Sequence, residues 1–174
     1  METVMNLILM TSFVGAFDVL YFHMFKFRLY GRTESVAEEI THLLRTASII
    51  GIVSLLLFSD GSGFARNAIL FLFAFDLVNN LADAYLERTS RDTLGGVPSS
   101  EQLIHMFGMF MMGVIGATFW YTSSNTGFTP VAPGGLLYIQ AVLSLGAGIA
   151  MGIIEGSLFV CALTRRSPAV AVQV

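Results

Sequence analysis

Apolar positions fall in five long runs separated by short polar or glycine-rich stretches. A helix needs roughly 20 predominantly apolar residues to cross the hydrocarbon core of a bilayer. The runs at 4–30, 35–59, 64–88, 99–121 and 134–163 all reach that length. The pattern therefore predicts an all-α, polytopic integral membrane bundle of five transmembrane helices, forming one domain over 1–174. The punctuation agrees. The first run closes on the basic and aromatic cluster Lys26, Phe27, Arg28 and Tyr30, the type of group that anchors at an interface, and Gly31 and Arg32 turn the chain. Ser35 with Glu38, and Ser99 with Gln102, have the spacing of capping boxes at the starts of the second and fourth helices. Asp60, Gly61 and Gly63 break the second helix, and Gly61-Ser62-Gly63 reads as a turn. Loops are expected over 89–98 and 122–133. Gly146, Gly148, Gly152 and Gly156 favour close helix contact along the fifth span.

Basic residues set the orientation, because lysine and arginine near span ends accumulate on the cytoplasmic side. With the amino terminus outside and the carboxyl terminus cytoplasmic, Lys26, Arg28, Arg32, Arg45, Arg88, Arg91, Arg165 and Arg166 all fall inside, and only Arg66 falls outside. This predicts a bacterial-type inner, or plasma, membrane protein. Met1 to Asn6 carries Glu2 and no lysine or arginine, the wrong start for a cleaved signal peptide, so the first run is expected to be a permanent span.

Composition sharpens the picture in two ways. Hydrophobic residues make up 55% of the chain and charged ones only 12%, too few charges to cover a soluble domain of this size. The single cysteine, Cys161, excludes an internal disulfide and any cysteine-based zinc motif. No glycine-rich phosphate loop, nucleophile elbow or nucleotide fingerprint is present, and a net charge of −3 gives nucleic-acid binding no support.

The candidate chemistry lies in the ionisable residues inside the spans, which are costly in lipid at ~2.5–3.5 kcal/mol each and so call for a partner or a function. Consecutive helices run antiparallel and rise ~1.5 Å per residue, which places His23, His42, Asp83 and His105 at similar depth, roughly 10 Å inside the cytoplasmic boundary. All three histidines of the chain belong to this layer. Glu39 and His42 form Glu-x-x-His, Glu101 and His105 are four apart, and Asp76, Asn80, Asp83 and Glu87 follow one helix face. Neutral imidazoles with carboxylates suit iron, zinc and manganese, and a metal would neutralise the layer. The candidate ligands are His23, Glu39, His42, Asp83, Glu101 and His105. Asp18, Asp76, Asn80, Glu87 and Glu155 are candidates for orienting those ligands or for a proton path. Glu38 reads as a capping residue, and Glu87 as a rim partner for Arg88 or Arg91. Met106, Met109, Met111 and Met112 add thioethers that copper would favour, although methionines on an apolar helix are more often packing residues.

This ligand pattern resembles the site of ferritin-like di-iron and di-manganese carboxylate bundles, in which Glu-x-x-His pairs and further glutamates project from four helices. The fourth helix departs from it with Glu-x-x-x-His, and the first supplies a histidine in place of a glutamate. The resemblance implies a binuclear centre. Iron or zinc is the favoured ion, with manganese and copper as alternatives. Iron would suit an oxidase or hydroxylase acting on a lipophilic substrate, and zinc a lipid hydrolase. A metal-ion or proton transporter, or a structural subunit of a larger membrane complex, are the other functions compatible with such a layer. The expected partners are the bilayer, a lipophilic small molecule or ion, and further copies or partner membrane subunits.

Overall fold

The computed structural model describes residues 1–28, 35–92 and 95–164, without the side chains of Arg91 and Ala162. It is all-helical. In chain order the elements are α1 (Glu2–Asp18), a π-helical segment (Val19–Lys26), α2 (Val36–Phe58), α3 (Gly63–Arg91), α4 (Ser99–Thr122) and α5 (Gly135–Thr164). Five helices, counting α1 and its π-helical continuation as one, are long and apolar enough to cross a membrane. Tyr30, the Gly31 and Arg32 turn and the tail bearing Arg165 and Arg166 lie outside the described residues.

Each helix packs chiefly on two others, in the ring order α1, α4, α3, α2, α5 and back to α1. The ring has two unlike halves. One end is an apolar core in which Val4 and Met5 of α1, Ile52, Val53 and Leu56 of α2, Ile69 and Phe73 of α3, and Ile115 and Phe119 of α4 are buried together. The other end buries acids, amides and histidines. The α2 sequence makes the change within one helix, since its buried positions run Glu38, Glu39, Thr41, His42 and then Ile52, Val53, Leu56, Leu57.

The apolar end is closed by backbone. The Phe128 N–H donates to Gly61 O at 2.8 Å and the Val131 N–H to Leu56 O at 2.9 Å, pinning the α4–α5 connection onto the α2–α3 turn. Arg66 is buried beneath it, donating to Ser123 Oγ at 2.9 Å with its guanidinium over the Trp120 ring. Ser62 caps α3 by accepting from the Ala65 N–H.

Three local expectations change. The 4–30 run is not uniformly α-helical, because the chain widens into π-helix after Asp18, closing with an i to i+5 bond from the Phe27 N–H to Phe22 O at 2.9 Å. This turn buries two consecutive side chains, Phe22 and His23, and packs Tyr21, Phe22 and Phe27 against one another. Neither capping box forms. Ser35 is the N-cap of α2 without a side-chain cap bond, since Glu38 turns inward to accept from Ser90 Oγ, and the N-cap of α4 is Pro98, leaving Ser99 as the first helical residue. Finally, α3 continues to Arg91, beyond the expected loop start at 89.

Candidate metal centre

The π-helical segment, α2 and α4 each bring one histidine to the axis of the ring. The His23 and His42 rings lie 4.3 Å apart between centroids, and His105 lies 6.0 Å from His23 and 6.4 Å from His42. Carboxylates from four helical elements surround them.

His23 stands between two acids, its Nδ1 3.8 Å from Glu38 Oε1 and its Nε2 3.5 Å from Glu101 Oε1. His42 Nε2 faces Asp83 Oδ2 at 3.6 Å, outside hydrogen-bond range, and this buried nitrogen has no hydrogen-bond partner. His105 is held at both nitrogens, Nε2 by Asp18 Oδ2 at 2.6 Å and Nδ1 by Glu87 Oε2 at 3.1 Å. Among the described residues, candidate ligand atoms within 4.8 Å of one another form three groups: Asp18, His23 and His105; His23, Glu38 and His42; and Glu87, Glu101 and His105. The last two share no residue.

A layer of polar groups orients these side chains. Thr41 Oγ1 donates to Asp83 Oδ1, and Asn79 Nδ2 reaches Thr41 O at 2.8 Å. Asn80 Nδ2 bonds both the backbone and the carboxylate of Asp76, at 2.7 and 2.9 Å. Thr46 Oγ1 donates to Glu155 Oε2 at 2.9 Å, tying α2 to α5. Asp76 and Glu155 are buried but stand outside the three groups. Arg45 is half-buried and reaches Gly108 on α4.

Of the six candidate ligands, five lie in these contacts: His23, His42, Asp83, Glu101 and His105. Glu39 is buried and borders a small void with His23, His42 and Glu155, while its neighbour Glu38 enters the group with the two histidines. Asp18 and Glu87, assigned supporting roles from sequence, both contact His105 directly. Five residues separate Asp18 from His23, a spacing that shares a face in a π-turn but not in an α-turn. That spacing is the signal an α-periodic reading passes over. Among the methionines, Met112 packs in the apolar core, Met111 is buried and Met106 is exposed.

The donor set fits a borderline or hard transition ion. Imidazole and carboxylate groups would be the donors, without a thiolate, and the separations of 3.5 to 3.8 Å are long for a hydrogen bond. Two atoms bound to one ion at ~2.0–2.2 Å sit roughly 3–3.5 Å apart. The chain matches no known protein family, no characterised protein and no solved structure.

Proposed function

We propose that this protein is a membrane-embedded metalloprotein whose histidine and carboxylate centre holds two metal ions and oxidises or hydroxylates a lipophilic substrate. The observation that carries the reading is the buried His42 Nε2, without a hydrogen-bond partner and 3.6 Å from Asp83 Oδ2, on a residue grouped with His23 and Glu38. A neutral buried imidazole nitrogen with no partner is unfavourable unless something else accepts its lone pair or its proton. His23, Glu38 and His42 would hold one ion; Glu87, Glu101 and His105 would hold the other, with Asp18 alongside. Iron or zinc is the favoured ion, with manganese and copper as alternatives, and iron would supply oxygen activation when bound. The protein's own part is to keep these groups fixed and dry: Thr41 orients Asp83, Ser90 orients Glu38, and the ring of helices excludes bulk water.

The five spans would sit in a plasma membrane with the amino terminus outside, which places the centre toward the cytoplasmic face. Exposed Phe13, Phe25, Phe71 and Phe110 suit lipid or neighbouring membrane subunits.

Elemental analysis of the purified protein tests the proposal, with His42→Ala and His105→Ala alongside. One or two equivalents of metal, lost in both variants without loss of membrane insertion, is the expected result. Full metal content in both variants rejects the site.

One further observation favours a second reading. An imidazolium at His105 donating to both Asp18 and Glu87 needs no metal, and would make the layer a proton-handling network. Metal-free protein that moves protons in proteoliposomes would select it.

A further inference from the structure

A cavity of about 110 Å3 lies between α1, α2 and α5, beside the polar cluster. Asp18, His42 and Glu155 line it together with Arg45 and Thr46, a set of both charges, and Thr11 and Ser144 line it farther along α1 and α5. From position 11 to position 18 the α1 helix rises ~10 Å, so the space is an elongated slot. Val19, Ile49 and Met151 give its walls an apolar lining between the two ends. Gly15 leaves room on the α1 side, where an added Cβ would meet nothing within 4 Å.

The hydroxyls are the informative groups. Thr11 is 7% exposed and Ser144 5%, and neither Oγ has a hydrogen-bond partner. Helical serines and threonines ordinarily return their proton to a carbonyl one turn back, as Ser48, Thr118 and Ser157 do. Thr11 and Ser144 leave theirs unused, on two walls of one cavity. At the other end, Asp18 Oδ1 and His42 Nε2 are also buried without partners. Buried polar atoms without partners are unfavourable, and two unused hydroxyls from different helices lining one space point to an occupant. Apolar walls with a few placed polar groups are the lining of a small-molecule site.

We propose that this slot binds a small, uncharged lipophile carrying one oxygen acceptor, an alcohol, aldehyde or ketone. Its oxygen accepts from the Thr11 and Ser144 hydroxyls, and its hydrocarbon runs along the Val19, Ile49 and Met151 walls toward the centre, leaving Asp18 Oδ1 and His42 Nε2 to the centre itself. This names the substrate class of the centre proposed above and rests on that reading for the role of the bound molecule.

The probe is 1-octanol, with n-octane as the equivalent lacking oxygen, titrated into protein held in lipid nanodiscs and followed by the thermal unfolding midpoint. Metal content is measured on every sample. 1-Octanol is expected to raise the midpoint of the wild-type protein. The double variant Thr11→Val, Ser144→Ala is expected to unfold no earlier than wild type without ligand, because it loses only unpaired hydroxyls. It should bind 1-octanol about tenfold more weakly and n-octane unchanged, the loss expected for one or two hydrogen bonds. Gly15→Leu, which fills the slot, should abolish both responses. Equal 1-octanol affinity in wild type and the double variant, a lower unliganded midpoint for that variant, or no response in wild type overturns the proposal. In a Cys161→Ser background, Ser144→Cys should react with a lipid-soluble maleimide. Reaction with a charged, water-soluble thiol reagent alone would make the slot a water channel and also overturn it. 1-Octanol binding as described in metal-free preparations would keep the slot and reject the metal reading; metal without 1-octanol binding would reject the slot alone.

Discussion

Asp18 Oδ2 lies 2.6 Å from His105 Nε2, joining the last residue of α1 to the second turn of α4. Both side chains are largely buried, so the pair is shielded from water and its charge is not dispersed by solvent. Asp18→Asn preserves volume and removes the charge opposite the imidazole. Breaking one side of a buried pair typically costs ~3–5 kcal/mol, and that loss is expected here in denaturant titration of the micelle-held protein. A cost below about 1 kcal/mol would place the pair among weak surface contacts and separate α1 from the centre.

Closure of the apolar end depends on two glycines with positive φ, Gly61 at 68° and Gly127 at 144°. A Cβ on Gly127 would stand 2.0 Å from Gly61 O, and one on Gly61 would stand 2.2 Å from Phe128 O. Gly95 also has a positive φ, 87°, but an added Cβ there meets nothing. Gly95→Ala should therefore cost only the conformational penalty, ~1–2 kcal/mol. Gly127→Ala adds a backbone clash that no rotamer relieves, and should cost several times as much. Thermal midpoints of the two variants measured together decide the matter, and equal shifts would mean that the α4–α5 connection does not grip the α2–α3 turn.

The aqueous-facing turn supplies a pH dependence. Asp60 Oδ1 accepts from the Ser62 N–H at 2.9 Å, and this bond with the Ser62 side chain holds the Asp60 carboxyl below its ordinary value of 3.8. A depressed carboxyl contributes stability above its unfolded value and loses it as pH falls through the folded one. The difference in thermal midpoint between wild type and Asp60→Ala should be constant from neutrality to about pH 5 and shrink as pH falls below the ordinary carboxyl value and through the folded one. The difference is small, because Asp60 is solvent-exposed. A difference that grows on acidification would reverse the assigned sign.

The sequence made the five helices legible because apolar run length is nearly a direct measure of spanning capacity, and Asp76, Asn80, Asp83 and Glu87 recur at helical spacing. The histidine layer followed from antiparallel succession alone. Three features did not follow. Hydropathy is nearly the same on every face of α5, so it carries no information on the ring order that seats α5 between α1 and α2. Asp18 reads by sequence as a deeper, supporting residue of the first span, whereas the π-helical segment that follows it brings Asp18 into one group with His23 and His105. Arg45 counts as a span-end cation by sequence, and in the fold it reaches Gly108 on α4, where a Cβ would meet its Nη2 at 2.8 Å.

Glu38 and Glu39 are adjacent in the chain, so their side chains leave α2 ~100° apart, and packing decides which one serves the centre. Spacing selects Glu39, three residues before His42, with Glu38 as the cap. In the fold Glu38 Oε2 accepts from Ser90 Oγ while Oε1 lies 3.8 Å from His23 Nδ1, so α3 aims this carboxylate at the histidine pair. Glu39 borders the void lined by His23, His42 and Glu155. Glu38→Gln should therefore lower metal content at least tenfold, the upper range for disturbing a ligand or its immediate support, and Glu39→Gln should lower it only a few fold. Ser90→Ala, which releases Glu38 without removing it, should fall between the two. Elemental analysis across the three variants orders them, and a larger loss in Glu39→Gln than in Glu38→Gln would return Glu39 to the centre and leave Glu38 as a helix-end residue held by α3.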